Sequence, residues 1–126
     1  MTNLWTNRVV LVVEDEPINF LYLFELLSES GLILINAKSG EEAIEICQTN
    51  NKIELVLMDI QLPGISGYEA TKKIKTIKKD LPIIAQTAYS QSEEKEKAIK
   101  ASCDGYISKP IDTDELYAIF NKYLNK

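Results

Sequence analysis

Short apolar runs alternate along the chain with longer stretches whose apolar residues recur at helical spacing. The apolar runs predict five strands, at 8–13, 33–36, 54–58, 82–87 and 105–108. The stretches that follow them predict five helices, at 17–30, 40–50, 67–78, 91–102 and 113–124. The first run shows no polar alternation, which is typical of a strand covered by helices on both faces. This order of elements predicts an α/β fold with a doubly wound parallel sheet.

The starts of the predicted helices carry capping signals. A serine or aspartate is followed three residues later by glutamate in four places, beginning at Ser39, Ser66, Ser90 and Asp112. Pro17 suits the first turn of the first helix, and Gly31 suits its end. These signals support the predicted boundaries between helices and loops.

Length and composition narrow the class of protein. The chain has 126 residues and contains no linker-like or repeated segment, so we expect one domain at 8–126, after an N-terminal extension or linker remnant at 1–7. A net charge of −5 argues against direct nucleic-acid binding, and no apolar stretch is long enough to cross a bilayer. Cys47 and Cys103 lack metal-ligand spacing and indicate reduced thiols in a cytoplasmic protein. The sequence has no histidine, which excludes a histidine phosphodonor, base or metal ligand within it.

Three acids and a lysine lie directly after predicted strands. Glu14 and Asp15 follow the first strand, Asp59 follows the third, and Lys109 follows the fifth. The carboxyl ends of parallel strands meet at one edge of a sheet, so we expect these side chains to share a crevice. Three carboxylates and one ammonium give it a formal charge of about −2, and such a site must bind protons or a cation. Mg²⁺, which prefers oxygen ligands, is the cation that we expect.

Four short motifs lie at 12–16, 57–67, 86–88 and 104–110, each at or near the end of a predicted strand. In this order they resemble the motifs of the receiver domain of two-component response regulators. The resemblance extends over about residues 8–124. It implies a flavodoxin-like (βα)5 fold with strand order 2-1-3-4-5. It also implies a phosphorelay function, with a histidine kinase dimerisation domain or a histidine phosphotransfer domain as the partner.

The resemblance assigns the metal and the phosphoryl group to particular residues. Asp59 would be the phosphoacceptor, a carboxylate nucleophile that forms an acyl phosphate. Glu14, Asp15 and Asp59 would hold Mg²⁺ together with the backbone carbonyl of Gln61, and Mn²⁺ can substitute for Mg²⁺. Glu14 departs from the aspartate that is more frequent at its position in this family. The domain itself would catalyse only transfer to Asp59 and hydrolysis of the acyl phosphate.

Three further residues would bind the phosphoryl group or respond to it. Lys109 would pair with Asp59 at rest and with a phosphoryl oxygen afterwards, and its bond to Pro110 resembles the family's cis peptide. Thr87 would donate a hydroxyl hydrogen bond to the phosphoryl group. Tyr106 would rotate inward as the signal passes to a face built from the fourth helix, the fifth strand and the fifth helix. The alternative for Tyr106 is a strand tyrosine that is half-packed at the sheet edge.

Apolar side chains occur on almost every side of the first predicted helix, whereas a surface helix usually has one apolar face. Alignment with receiver domains predicts that Leu23, Leu26 and Leu27 face the core. Phe20 and Phe24 then lie four residues apart on an outward face and predict a docking ridge for a helical partner. The alternative is that both rings fold over neighbouring helices and extend the core.

Two other classes of α/β protein would need residues that this sequence lacks after the first strand. A haloacid-dehalogenase-type phosphatase needs an Asp-x-Asp pair after the first strand, and residues 14–17 do not provide it. A dinucleotide or flavin site needs a glycine-rich or hydroxyl-rich phosphate loop, which is absent there. We expect a monomer or weak dimer that comes from a hybrid sensor histidine kinase. The open alternatives are a stand-alone regulator and an interaction module that is not phosphorylated.

Overall fold

The computed structural model describes residues 4–88 and 92–125, with side chains throughout except at 92–95. The five strands are β1 (Val9–Val13), β2 (Ile33–Ala37), β3 (Ile53–Asp59), β4 (Ile83–Thr87) and β5 (Gly105–Ser108). The five helices are α1 (Pro17–Leu26), α2 (Gly40–Thr49), α3 (Gly67–Ile77), α4 (Ser92–Lys100) and α5 (Thr113–Leu124). None of these described helices is long and apolar enough to span a membrane.

All five strands pair in parallel in the order β2-β1-β3-β4-β5, which confirms the predicted topology. The register places Val13 of β1 opposite Met58 of β3, and Asp59 of β3 opposite Gln86 of β4. The carboxyl ends of β1, β3 and β4 therefore lie level with one another. This edge is where the polar residues that follow the strands collect.

The sheet is buried on both faces because alternate residues of each strand enter different cores. Val13, Met58 and Ile83 belong to a core under α2, α3 and α4, while Val12 and Ile84 belong to a core under α1 and α5. We call these the first and the second core. Every residue of β1 is buried, so an apolar residue is favoured at each position of this strand.

Three of the four predicted capping residues lie in the described part of the chain and cap their helices. The side chains of Ser39, Ser66 and Asp112 accept hydrogen bonds from the backbone N–H three residues ahead, at 3.0, 3.2 and 3.0 Å. Each cap satisfies one of the N–H groups that a helix start leaves unpaired. Ser90 lies outside the described residues.

Helix α1 ends earlier than the sequence predicted, at Leu26 instead of residue 30. The hydroxyl of Ser28 donates to the carbonyl of Glu25 at 3.0 Å, and the hydroxyl of Ser30 donates to the carbonyl of Leu27 at 2.6 Å. Serine side chains that bond nearby carbonyls in this way compete with the regular helical pattern. The prediction for this helix end was therefore wrong by four residues.

Part of the segment predicted as an extension packs into the domain. Trp5 is fully buried in the second core, with ring centroids 5.3 Å from Tyr117 and 5.9 Å from Phe120 on α5. Its indole N–H donates to Oδ1 of Asn125 at 3.0 Å. This contact ties the chain before β1 to helix α5.

Candidate functional site

The structure brings the predicted acidic residues together at the carboxyl edge of the sheet. One carboxylate oxygen each from Glu14, Asp15 and Asp59 lies within 4.8 Å of the others. Glu14 and Asp59 are 1% and 3% exposed, whereas Asp15 is half-buried. An all-oxygen donor set of this kind suits a hard divalent cation.

Lys109 supplies positive charge beside the acids. Its Nζ lies 3.1 Å from Oδ2 of Asp59 and 3.6 Å from Oε1 of Glu14. The backbone N–H of Lys109 donates to the carbonyl of Thr87 at 2.8 Å, and the bond to Pro110 is cis. The main chain thus fixes the point from which the lysine side chain reaches over the end of β4 toward β3.

Burial disfavours the ionised form of Glu14. Desolvation raises its pKa above the usual 4.5, and the charge of Asp59 raises it further. The N–H of Glu16, which donates to Oε2 at 3.2 Å, and the charge of Lys109 lower the pKa by smaller amounts. Oε1 has no hydrogen-bond partner among the described residues. A buried carboxylate oxygen in this state favours the approach of a cation or a proton.

The backbone around Asp59 positions its carboxylate. The N–H of Gln61 donates to Oδ1 of Asp59 at 3.0 Å, so both oxygens of this acid are engaged. Helix α3 starts directly against this strand end: a Cβ on Gly67 would lie 2.3 Å from the carbonyl oxygen of Asp59. Glycine is therefore required at residue 67 for the close approach. The sequence prediction gave this glycine no role.

The remaining predicted site residues surround the cluster. Thr87 is buried at the end of β4, one residue after Gln86, which lies opposite Asp59. Tyr106 is half-buried and packs against the first core. Gln61 is exposed, and its backbone N–H donates to Asp59. The role of its backbone carbonyl as a metal ligand stays a prediction.

Helix α1 shows a different exposed surface from the predicted one. Phe20 is half-buried and packs against the second core, which favours the alternative that its ring extends the core, and its part in docking stays a prediction. Phe24 is 48% exposed, with its ring centroid 6.3 Å from that of Phe20. The other exposed apolar residues are Ile18, Leu21 and Tyr22, which together with Phe24 we call the α1 ridge. Leu23 and Leu27 are buried and Leu26 packs against the second core, as predicted.

Gln86 is a residue that the sequence prediction passed over. It is 1% exposed, and its Nε2 has no hydrogen-bond partner among the described residues. A glutamine directly after the apolar run Ile83–Ala85 of a buried strand is the signal that could have singled it out.

Comparison with known families decides the class of this site. The model of the response regulator receiver domain matches residues 10–121. The chain belongs to this family. A curated relative of the receiver domain, the polar-differentiation response regulator DivK of Brucella ovis, is 36% identical over 119 residues, which cover 93% of this chain and 96% of DivK.

Solved receiver structures share the fold. One is the receiver domain of the sensor histidine kinase PA1611 from Pseudomonas aeruginosa, with a magnesium ion in its active-site cleft (TM-score 0.87, 28% identity, 96% of this chain and 100% of that one). Another is the receiver domain of Ssk1 from Saccharomyces cerevisiae, in complex with the histidine phosphotransfer protein Ypd1. Its TM-score is 0.88 at 30% sequence identity, and the match covers 96% of this chain and 91% of that one. This chain is therefore a receiver domain of two-component signalling, as the sequence motifs predicted.

Proposed function

We propose that this receiver domain accepts a phosphoryl group from a phosphohistidine onto Asp59, with Mg²⁺ bound beside it. The observation that carries the proposal is the placement of Asp59 between an ammonium, 3.1 Å away, and two further carboxylates. A nucleophilic carboxylate needs neighbours that offset the charge of the incoming phosphoryl group, and this edge of the sheet offers both kinds of neighbour.

The residues present fit a magnesium ion. Glu14, Asp15 and Asp59 would hold it, with the carbonyl of Gln61 as a fourth ligand. Oε1 of Glu14 is a buried acceptor that receives no hydrogen bond from the described part of the chain. When bound, Mg²⁺ supplies positive charge that offsets the carboxylates and the phosphoryl oxygens, and Mn²⁺ can substitute for it. The magnesium ion in the related Pseudomonas receiver supports this assignment.

Asp59 is the nucleophile of the transfer. One of its carboxylate oxygens forms the new O–P bond, the P–N bond to the donor imidazole breaks, and the electron pair of that bond stays on the imidazole nitrogen. Lys109 holds Asp59 before transfer and pairs with a phosphoryl oxygen afterwards. Thr87, at the neighbouring strand end, donates its hydroxyl to another phosphoryl oxygen. Protein catalysis here consists of positioning and charge stabilisation.

The α1 ridge is the surface that we assign to the phosphodonor. Its members Ile18 and Leu21 are 80% and 56% exposed, and apolar side chains exposed next to one another on one helix favour docking of a helical partner. A histidine kinase dimerisation domain or a histidine phosphotransfer domain would supply that helix. The complex of the Ssk1 receiver with Ypd1 supports this class of partner.

The output surface is α4, β5 and α5. Within the described part of α4 and the turn after it, Ala98 and Ala101 are buried while Ile99 is 65% exposed, so little apolar area fixes this segment. Sparse burial is typical of elements that open locally, and Tyr106 lies half-buried on the adjacent strand. Phosphorylation should therefore change amide exchange over residues 92–110, and unchanged exchange there would contradict the assignment.

The receiver domain belongs either to a hybrid sensor histidine kinase or to a stand-alone regulator. The similarity to the Pseudomonas receiver supports the hybrid kinase, which stays a prediction. The similarity to DivK supports the stand-alone alternative. We place the domain on the cytoplasmic side, where phosphohistidine donors meet their receivers.

Labelling with phosphoramidate, followed by peptide mapping, tests the proposed function. We expect one phosphoryl group on the peptide that contains Asp59, formed with Mg²⁺ and absent in EDTA. A phosphoryl group on another residue, or none on a folded protein that binds Mg²⁺, would contradict the proposal and favour the interaction module.

A further inference from the structure

Asn36 lies near the carboxyl end of β2, beside the turn that carries two of the three metal-cluster acids. It is the second-last residue of this strand and pairs with Val12 of β1. The other residues of β2 are apolar, and asparagine is uncommon in strands. β2 is an edge strand and contains no acid of its own, so it supplies none of the predicted carboxylate ligands. The contacts of Asn36 explain why a polar residue lies there.

The side-chain amide of Asn36 donates to main-chain carbonyl groups on β1, on β2 and on the turn after β1. Its Nδ2 lies 3.0 Å from the carbonyl oxygen of Val12, 3.1 Å from that of Glu14 and 3.2 Å from that of Ala37. An amide nitrogen carries two N–H donors, so it suits a place where several carbonyl oxygens converge. An apolar side chain there would leave these oxygens without that donor.

One of these contacts acts on the peptide that joins two of the metal-cluster acids. The carbonyl of Glu14 and the N–H of Asp15 belong to one planar unit, which also includes the Cα atoms of both residues. A hydrogen bond to this carbonyl oxygen therefore restrains the points from which both side chains start. The N–H of Glu14 donates to the carbonyl of Ala37 at 2.8 Å. The last two residues of β2 thus hold the main chain of Glu14 on both sides.

The acids on this turn have to converge before they can share a cation. Oε2 of Glu14 accepts from the N–H of Glu16 at 3.2 Å, while its Oε1 receives no hydrogen bond from the described part of the chain. Ligands that are already held in place lose less freedom when an ion binds. Removal of a residue that supports metal ligands in this way typically weakens metal binding by about 10- to 100-fold.

We infer that Asn36 is a positioning residue of the Mg²⁺ site. Its amide acts through the peptide between Glu14 and Asp15, and it keeps their carboxylates in the arrangement that brings them to Asp59. An edge strand without a ligand of its own thereby sets part of the metal affinity. The inference rests on the proposed function and deepens it by naming a residue that shapes the metal site.

Calorimetric titration of the unphosphorylated protein with Mg²⁺ tests the inference without relying on phosphorylation. Asn36→Leu keeps a side chain of similar size and removes both donors, so the dissociation constant for Mg²⁺ should rise about 10-fold. Asn36→Thr keeps one hydroxyl donor and suits a strand, so the rise should be smaller, about 3-fold. The Mg²⁺ concentration for half-maximal labelling by acetyl phosphate should rise by the same factors. Urea unfolding without metal verifies that each variant is folded.

Asn50→Leu is the matched control, because it makes the same substitution at the opposite edge of the sheet. Asn50 is also half-buried, and its Oδ1 accepts from the N–H of Lys52 at 2.8 Å, just before β3 begins. Loss of this hydrogen bond should lower the urea midpoint of the metal-free protein. The dissociation constant for Mg²⁺ should equal that of the wild type, since the bond does not reach the acidic turn.

Three results would overturn the inference. Wild-type affinity for Mg²⁺ in the folded Asn36 variants would show that the acidic turn needs no support from β2. An equal loss of affinity in Asn50→Leu would show that the metal site responds to any loss of stability. Both results would leave the proposed function intact, because the wild type would still bind Mg²⁺ and be labelled on Asp59. A wild type that binds no Mg²⁺ would overturn the proposed metal site, and this inference with it.

Discussion

Nζ of Lys109 lies 3.1 Å from Oδ2 of Asp59, although β4 lies between β3, which ends at Asp59, and β5, which ends just before Lys109. The ammonium also lies 3.6 Å from Oε1 of Glu14, and both acids belong to the cluster that Asp15 completes. Two properties of the site depend on this arrangement. The ammonium limits the repulsion in the metal-free protein, and it lies where a phosphoryl oxygen needs a cation.

Lys109→Met should destabilise the metal-free protein and strengthen the binding of Mg²⁺. Loss of the ammonium leaves the buried carboxylates of Glu14 and Asp59 without their counter-charge, so we expect the free energy of unfolding to fall by about 1–3 kcal/mol. The same loss makes the site more negative, so Mg²⁺ should bind more tightly. Phosphorylation should slow by about 100-fold, since a donor to the transferred group is missing. Urea unfolding and Mg²⁺ titration measure the first two effects, and weaker Mg²⁺ binding by the variant would be inconsistent with this account.

Glu14 should make the metal-free protein less stable as the pH rises. Its pKa is raised in the folded protein, so the folded state holds the proton more tightly than the unfolded state. The stabilisation is complete below the unfolded value of 4.5 and is lost as the pH passes the folded value. The slope from this one group is at most about 1.4 kcal/mol per pH unit.

Urea unfolding at a series of pH values measures this slope in the wild type and in Glu14→Gln, which cannot ionise. We expect a flatter profile above pH 4.5 for the variant, and saturating Mg²⁺ should flatten the wild-type profile in the same way. Identical slopes without metal would mean that Glu14 is not the titrating group.

Gly67→Ala should distort the acceptor site. The added Cβ would lie 2.3 Å from the carbonyl oxygen of Asp59, and this main-chain atom has little freedom to move. We expect a loss of about 3 kcal/mol in the free energy of unfolding, together with slower phosphorylation. Gly105→Ala is the matched control, because its Cβ would meet only the ends of the Ile84 and Tyr123 side chains, at 3.2 and 3.8 Å. Equal effects of the two substitutions would argue against a special role for residue 67.

Serine at two positions of the α1 ridge should weaken the use of a protein donor. Leu21→Ser and Phe24→Ser remove exposed apolar area, so stability should change little, while transfer from a phosphohistidine protein should slow about 10-fold. The rate with acetyl phosphate should stay the same. Ile77→Ser, at an exposed apolar residue of α3, is the control that should affect neither rate. A phosphotransfer rate equal to that of the wild type in both ridge variants would reject the docking assignment.

The sequence predicts the sheet and the acidic site well because both depend on patterns that physics enforces strongly. A parallel strand buried on both faces must be apolar, and β1 is buried at every residue. Residues that follow such strands meet at one edge of the sheet, which is why Asp59 and Lys109 could be placed together from their positions alone.

The features that the sequence did not predict depend on local contacts or on packing between distant segments. The serine hydroxyls that end α1 use hydrogen bonds that helical periodicity does not reveal. Trp5 becomes part of the core only because α5 supplies Tyr117 and Phe120, more than a hundred residues later. Phe20 packs against the second core and leaves a ridge of different residues exposed. Patterns along the chain locate the elements, whereas these contacts depend on how the elements meet.

Intact-mass analysis after incubation with acetyl phosphate tests the central claim most directly, on the wild type and on Asp59→Asn, each with and without Mg²⁺. The account predicts one phosphoryl adduct on the wild type in Mg²⁺, none in EDTA and none on Asp59→Asn. An adduct of equal yield on the folded Asp59→Asn variant would contradict the assignment of Asp59 as the phosphoacceptor.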